Sequence, residues 1–302
     1  MIKSHRIKWK KYFWWTFLIL FFPFTLLFYW GNKVLGVTRY VIEDKNLPMA
    51  FYGFGIVQIS DLHNARFGKE QTRLLEKIRK IAPDMIAVTG DLIDSNRTDT
   101  DVAMQFIKGA QKIAPVYYVT GNHESRTDEF NLLKERLLSA GVHIADDIAT
   151  TIEKNDETIN VVGLQAPEFT MKKLSFSEKR KRVSQKLGKL KQRTDGYTIL
   201  LSHHPEYFDE YVKNGFNLVM SGHAHGGQIR IPFVQRGFYS PDQGLFPRYT
   251  EGVYKKEKTK MLVSRGLGNS TCPWRINNFP EIVFLTLVNP QKTSSRVDRR
   301  GD

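Results

Sequence analysis

Five short apolar runs in this chain end alike, and no other feature of the sequence restricts the fold as much. The run at 54–60 leads into Asp61-Leu62-His63, and DMIAVTGDL at 84–92 carries Asp91. PVYYVTGNHE at 115–124 carries Asn122 and His123, 197–203 ends on His203 beside His204, and 217–223 leads through Gly222 to His223 and His225. Runs this short, rich in β-branched and aromatic residues, predict strands buried on both faces. Each delivers a polar side chain at its C-terminal end. Of eight histidines in 302 residues, six fall in these stretches, which chance scatter does not produce. Helices are predicted at 69–81, 99–113 and 128–139; in the first, Leu74, Leu75, Ile78 and Ile81 form one apolar face. The alternation over 56–120 is a βαβαβ series, so parallel strands with right-handed crossovers are expected. Ligands gather at the carboxyl ends of such strands, where the polar residues lie. From residue 228 the pattern changes to short strands and turns, with a hairpin at 253–266, and predicts a mostly antiparallel second sheet.

Histidines mixed with carboxylates suit divalent Mn, Fe or Zn. Two such ions about 3.5–4 Å apart clamp the attacking and leaving oxygens of a phosphoryl displacement. Asp91, in Gly-Asp, is the natural shared carboxylate, and the nucleophile expected is a hydroxide held between the ions. His223 and His225 point the same way if the backbone stays extended. His123 is placed to give the leaving oxygen a proton. Asp94, one turn after Asp91, is expected to hydrogen-bond His123 and keep it charged. Glu124 reads as structural. His204 competes with His203 as a ligand.

The ordered set DLH, GDLID, GNHE, HHP and GHAHGGQ resembles the calcineurin-like metallophosphoesterases, over roughly residues 54–288. The resemblance implies an α/β fold, a four-layer α/β/β/α sandwich. It implies one metal on Asp61, His63, Asp91 and His225, a second on Asp91, Asn122, His203 and His223, and His123 as proton donor. The late stretch VSRGLGNSTCPWRINNFPEI (263–282), with an apolar N-terminus, is similar to the bacterial membrane-anchored branch of phosphodiesterases and UDP-2,3-diacylglucosamine pyrophosphatase-like enzymes. Arg275 in that stretch is a substrate-binding expectation, with a buried ion pair to Glu281 as the alternative. Ala224 stands where Thr is usual, which touches positioning only.

Residues 12–30 carry no charge, and that length is close to the ~20 residues that span a bilayer. Trp14, Trp15, Tyr29 and Trp30 resemble interfacial belts. No small-x-small cleavage site or twin arginine is found. Five Lys/Arg precede the run, against Lys33, Arg39 and Lys45 after it, so the expectation is a single-pass anchor over 1–33 with a cytoplasmic N-terminus, a linker at 34–50, an extracytoplasmic catalytic domain at 51–288, and a disordered tail at 289–302. The net charge of +14 sits entirely in residues 1–11 and in 172–193, where ten Lys/Arg face Glu178 alone. Charge this local argues against a nucleic-acid surface. A helix at 171–193, with Val183, Leu187 and Leu190 at helical spacing, is either a solvated face or a membrane-surface helix. Cys272 is the single cysteine, which excludes an intramolecular disulfide. The functional expectation is a binuclear phosphoesterase acting on a phosphodiester or pyrophosphate, with a lipid or nucleotide-sugar-lipid as one candidate substrate; a nuclease of the same family and a catalytically silent metal-binding adaptor are the alternatives.

Overall fold

A computed structural model of the protein describes residues 2–230, 237–270, 272 and 274–291, with the backbone alone at 2–8, 10, 20, 23, 24, 26, 27, 30 and 33. In chain order the elements are α1 (Ile2–Lys33), β1 (Gly36–Glu43), β2 (Gly55–Ile59), α2 (Thr72–Ile81), β3 (Met85–Thr89), α3 (Thr100–Ala110) and β4 (Val116–Val119). Then follow α4 (Phe130–Ser139), β5 (His143–Ile144), β6 (Ala149–Lys154), β7 (Glu157–Leu164), α5 (Phe176–Lys191), β8 (Thr198–Ser202), α6 (Phe208–Lys213) and β9 (Leu218–Ser221). A small ribbon, β10 (Tyr239–Ser240) and β11 (Gly244–Leu245), precedes β12 (Gly252–Lys256), β13 (Thr259–Val263) and β14 (Glu281–Val288).

Two six-stranded sheets, ordered β1-β14-β2-β3-β4-β5 and β12-β13-β9-β8-β7-β6, stack face to face. Alternation along each strand sends one set of side chains between the sheets and the other outward. Ile56, Met85, Val119, Ile199, Met220 and Leu285 meet in the middle. Val57, Ile59, Val88 and Tyr118 face α2, α3 and α4, while Leu200, Val219 and Val263 face α5 and α6. The result is four layers, α/β/β/α. At the site end Gln58 donates from Nε2 to Thr89 Oγ1 at 2.9 Å and to the Ser221 carbonyl at 2.8 Å. That buried amide ties the first sheet to the second beside the strand ends that carry the polar residues.

Several expectations are corrected. The second sheet is not mostly antiparallel: β7, β8, β9 and β13 run parallel, and only its two edge pairs are antiparallel. The expected linker at 34–50 contains β1, paired in parallel with β14 over Gly36–Glu43. Its partner is more than 200 residues away, so nothing local announces it. The expected tail starts late, because Asn289 is buried and donates to the Lys45 and Leu47 carbonyls; residues 292–302 lie outside the described residues, as do residues 231–236, which take in the second half of the run QIRIPF (228–233). The basic helix begins at Phe176 behind a Ser175–Glu178 capping box, and its stripe of Val183, Leu187 and Leu190 is buried in the outer core. That stripe is therefore not free to face lipid. The apolar run 12–30 lies inside α1, and among the described residues no helix is long and apolar enough to cross a membrane, so the transmembrane span finds no support there. Trp14, Trp15, Phe17, Phe21 and Phe22 of α1 are nonetheless exposed.

Candidate metal centre

The strand ends converge at one edge of the two sheets. Asp61, His63, Asp91, His223 and His225 all have φ between 45° and 66°, the left-handed region that non-glycine residues rarely enter. The chain leaves each strand in a sharp turn that aims the side chain back into the cleft, and strain of this kind clusters at functional sites. Close approach makes the turns possible. A Cβ on Gly121 would collide with Asp91 Oδ1, and one on Gly222 with Ser60 Oγ.

His63 Nε2 and His225 Nε2 face each other at 3.2 Å, as do His203 Nε2 and His223 Nδ1. Asp91 Oδ2 lies between the pairs, 3.5 Å from His63 Nε2 and 3.2 Å from His203 Nε2. Asp61 Oδ1 stands 3.4 Å from His225 Nε2 and 3.9 Å from both His63 and His203. All of these side chains are buried. Two ring nitrogens with about 2.0–2.1 Å bonds to one tetrahedral cation would be separated by about 3.3 Å, close to what both pairs show. The Asn122 side-chain oxygen, Oδ1, is buried without a hydrogen-bond partner, as a ligand oxygen would be. Asp61, His63 and His225 form one donor group, and Asp91, His203 and His223 another.

Hydrogen bonds set the tautomers. His203 Nδ1 donates to the Thr89 carbonyl at 2.7 Å, so Nε2 is the nitrogen that faces the site. His223 Nε2 lies 2.9 Å from Asp242 Oδ2, leaving Nδ1 to face the site in the same way. Burial, reinforced by His225 and His123, pulls the His63 pKa down to about 3 against Asp91, and burial with Arg275 holds His225 well below its usual value. Burial opposes charge on Asp91, yet His203 and His63 outweigh it and keep the carboxyl ionised. Burial likewise opposes charge on His203, but Asp91 and Asp61 carry its pKa up to about 9. His63 and His225 are thus held neutral beside an ionised Asp91, the form that binds a cation, whereas His203 keeps a proton that a bound cation would displace.

A model of the calcineurin-like phosphoesterase family matches residues 54–227, more than half of the chain and every strand end just described. The chain belongs to that family. Among its relatives, the Bacillus subtilis metallophosphoesterase YkuE is 27% identical over 264 residues, covering 86% of this chain and 87% of that protein. The metallophosphoesterase YkoQ of the same organism is 25% identical over 274 residues, covering 88% and 96%. The phosphodiesterase YaeI of Escherichia coli is 25% identical over 245 residues, covering 78% and 82%. The protein is thus a metal-dependent phosphoester hydrolase, and its family works with divalent ions.

In this calcineurin-like phosphoesterase, a cleft of about 270 Å³ is lined by Asp91, Asn122, His123, His223 and His225, with Arg126 and Ser270 beside them. His123 borders the centre as expected, but Asp94 does not orient it. The Ser95 backbone N–H donates to His123 Nδ1 at 3.0 Å, with Ser95 Oγ also at 3.0 Å. A backbone amide can only donate, so Nδ1 keeps its lone pair and the ring proton sits on Nε2, 2.9 Å from Ser270 Oγ. Burial lowers the His123 pKa despite Asp91 and Asp94. The imidazole is neutral rather than held as a cation. Asp94 instead turns Oδ2 toward His63 Nδ1 at 3.8 Å, on the side of that ring away from the site, and its Oδ1 accepts from the Asn96 N–H.

Arg275 is fully buried, and its donors are used within the fold. Nε reaches Asn269 Oδ1 at 2.8 Å, Nη1 the Arg265 carbonyl at 2.8 Å and Nη2 the Gly268 carbonyl at 2.6 Å, with His225 Nδ1 at 3.3 Å. It backs His225 instead of reaching a substrate. Glu281, the alternative ion-pair partner, pairs with Arg265 at 3.0 Å. His204 points both nitrogens at carboxylates, Nε2 to Glu168 at 3.0 Å and Nδ1 to Glu206 at 2.8 Å. Burial resists its charge, but the two acids raise its pKa well above the ordinary value. Glu124 is structural as read: its carboxylate accepts from four backbone amides, those of Asp91, Leu92, Ile93 and Gly121. Sequence reasoning missed Asp242, Ser95 and Ser270. Only Ser270, inside the late stretch, carried any signal.

Proposed function

We propose that the protein hydrolyses a phosphodiester or pyrophosphate bond in a lipid-linked or nucleotide-sugar-lipid substrate at a membrane, in the manner of UDP-2,3-diacylglucosamine pyrophosphatase-like enzymes. The facing imidazole pairs on either side of Asp91 carry the reading. Asp61, His63, Asp91 and His225 would hold one divalent ion, and Asp91, Asn122, His203 and His223 the other, with Mn, Fe or Zn suited to such donors. When bound, the ions supply Lewis acidity, neutralising phosphoryl charge and making a water acidic at neutral pH. The chain's own residues then position and stabilise. His123 offers its Nε2 proton to a substrate oxygen at the place Ser270 Oγ marks. Giving that proton away would leave an anionic ring, so His123 acts as a hydrogen-bond donor that strengthens as charge develops. Arg126, at the rim, adds positive potential.

Membrane attachment belongs to the same reading. Exposed aromatic side chains on α1 favour a lipid boundary. Residues 12–30 would sit in the bilayer, 1–11 on the cytoplasmic side, and the catalytic domain outside. Only residues 34 and 35 separate α1 from β1, so the centre would stay close to lipid. The test is a screen of mono-, di- and pyrophosphate esters with the purified full chain supplied with Mn²⁺, Fe²⁺ or Zn²⁺, beside Asp91→Asn. The expected result is diester or pyrophosphate cleavage that Asp91→Asn abolishes together with about half or more of the bound metal. A variant with full metal content and normal rate would overturn the reading.

A further inference from the structure

A second concavity, of about 560 Å³, has the metal-centre residue His63 among its lining residues. Arg66, Arg73 and Arg97 contribute to its lining, and Asp99 is the one carboxylate among its lining residues. Arg66 pairs with Asp99 at 2.8 Å, and Arg97 lies 3.6 Å from Asp94 Oδ2. Both guanidiniums remain mostly exposed, at 58% and 67% of the side chain, so each keeps donors for an anion. One wall is apolar: Phe28 of α1 packs edge-on against Trp274 at 6.1 Å, yet Trp274 is 56% exposed.

Phe28 also ends a ladder. Trp14, Phe17, Phe21 and Phe28 fall on one face of α1 by helical spacing. Trp14 meets Phe17 at 6.0 Å, and Phe17 stacks on Phe21 at 5.1 Å. A cationic cup thus opens onto a strip of exposed aromatic surface, and His63 is shared between the cup and the metal centre.

We infer that this groove binds the amphiphilic part of the substrate, a phosphate ester carrying an alkyl chain. The phosphate lies against Arg66 and Arg97, whose planar donors match its oxygens, and the chain runs over Trp274 and Phe28 along the α1 ladder. A simple anion would use the arginines and leave the aromatic wall wet; a neutral lipid would do the reverse. The inference rests on the phosphoesterase reading for which bond is cut, but binding can be measured without turnover.

The experiment titrates octyl phosphate, ethyl phosphate and octyl glucoside calorimetrically into the metal-loaded full chain in dodecyl maltoside. Any phosphate bound at the metal centre is common to the first two ligands, and any partition into micelles is common to parent and variants. The parent should bind octyl phosphate at least tenfold more tightly than either control. Arg66→Ala/Trp274→Ala should lose at least tenfold for octyl phosphate and much less for ethyl phosphate. Arg97→Glu, a single exposed change, should weaken octyl phosphate binding in the same direction. Equal affinity of the parent for octyl and ethyl phosphate, or variants that bind octyl phosphate as the parent does, would overturn the inference. Hydrolysis of a small soluble diester by the parent, measured in parallel, reports on the metal-centre proposal separately.

Discussion

Glu124→Gln is a sharp perturbation because it changes almost no volume. Glu124 is fully buried, and its Oε1 accepts from Leu92 N–H at 2.8 Å and Ile93 N–H at 3.2 Å. Its Oε2 accepts from Asp91 N–H at 3.0 Å and Gly121 N–H at 2.7 Å. Glutamine can satisfy one of these pairs, whichever way its amide is turned, and must present NH₂ to the other. Two charge-assisted bonds are lost at about 1.5–3 kcal/mol each, or about 3–6 kcal/mol together. Part is recovered, because burial and the nearby Asp91 carboxylate oppose ionisation of Glu124 and push its pKa up to about 7 against the amide bonds. A net loss of about 2–4 kcal/mol is expected. Since the four amides belong to the turns carrying Asp91 and Asn122, metal retention and kcat/KM should fall as well. Urea unfolding gives the stability change from the shift in midpoint at constant slope, and metal analysis after gel filtration gives retention. A variant within about 1 kcal/mol of the parent, with full metal content, would refute the clamp.

His123→Ala should slow an alkyl phosphodiester and a p-nitrophenyl diester by similar factors, because a hydrogen-bond donor to the phosphoryl group does not depend on the leaving group; a much larger loss on the alkyl substrate would restore the general-acid role. Asp242→Asn removes the carboxylate that fixes His223, and metal affinity measured by chelator competition should fall about 10–100-fold, whereas unchanged affinity would remove Asp242 from the centre's support. Burial raises the Asp146 pKa to about 6 despite hydrogen bonds from Thr120. Between its unfolded value and about pH 6 the folded state holds a proton that the unfolded state has released, so stability should fall as pH rises through this window, by at most about 3 kcal/mol. Asp146→Asn should flatten that slope in unfolding titrations; an unchanged slope would show that another group is responsible.

The strands, their C-terminal cargo and the family were legible in the sequence because each rests on local chemistry. A doubly buried strand must be apolar throughout, and a ligand must be His, Asp or Asn whatever the fold. Asp61, His63, Asp91, Asn122, His203, His223 and His225 could therefore be singled out along the chain, and the structure brings them to one sheet edge. Other features depend on partners distant in sequence. β1 counts as a strand only because β14 lies beside it, and Val183 and Leu187 look identical in sequence whether they meet lipid or, as here, the outer core. Asp94 was assigned to His123 by spacing, but the Ser95 amide occupies Nδ1 first, and a backbone group leaves no mark in a residue pattern. Arg275 suggested a substrate contact by its charge alone; its depth and its bonds to three oxygens and a ring nitrogen exist only in the folded protein. Residue type set which groups could do chemistry here, and packing decided which of them face the cleft, because orientation, burial and tautomer are properties of neighbours that the fold supplies.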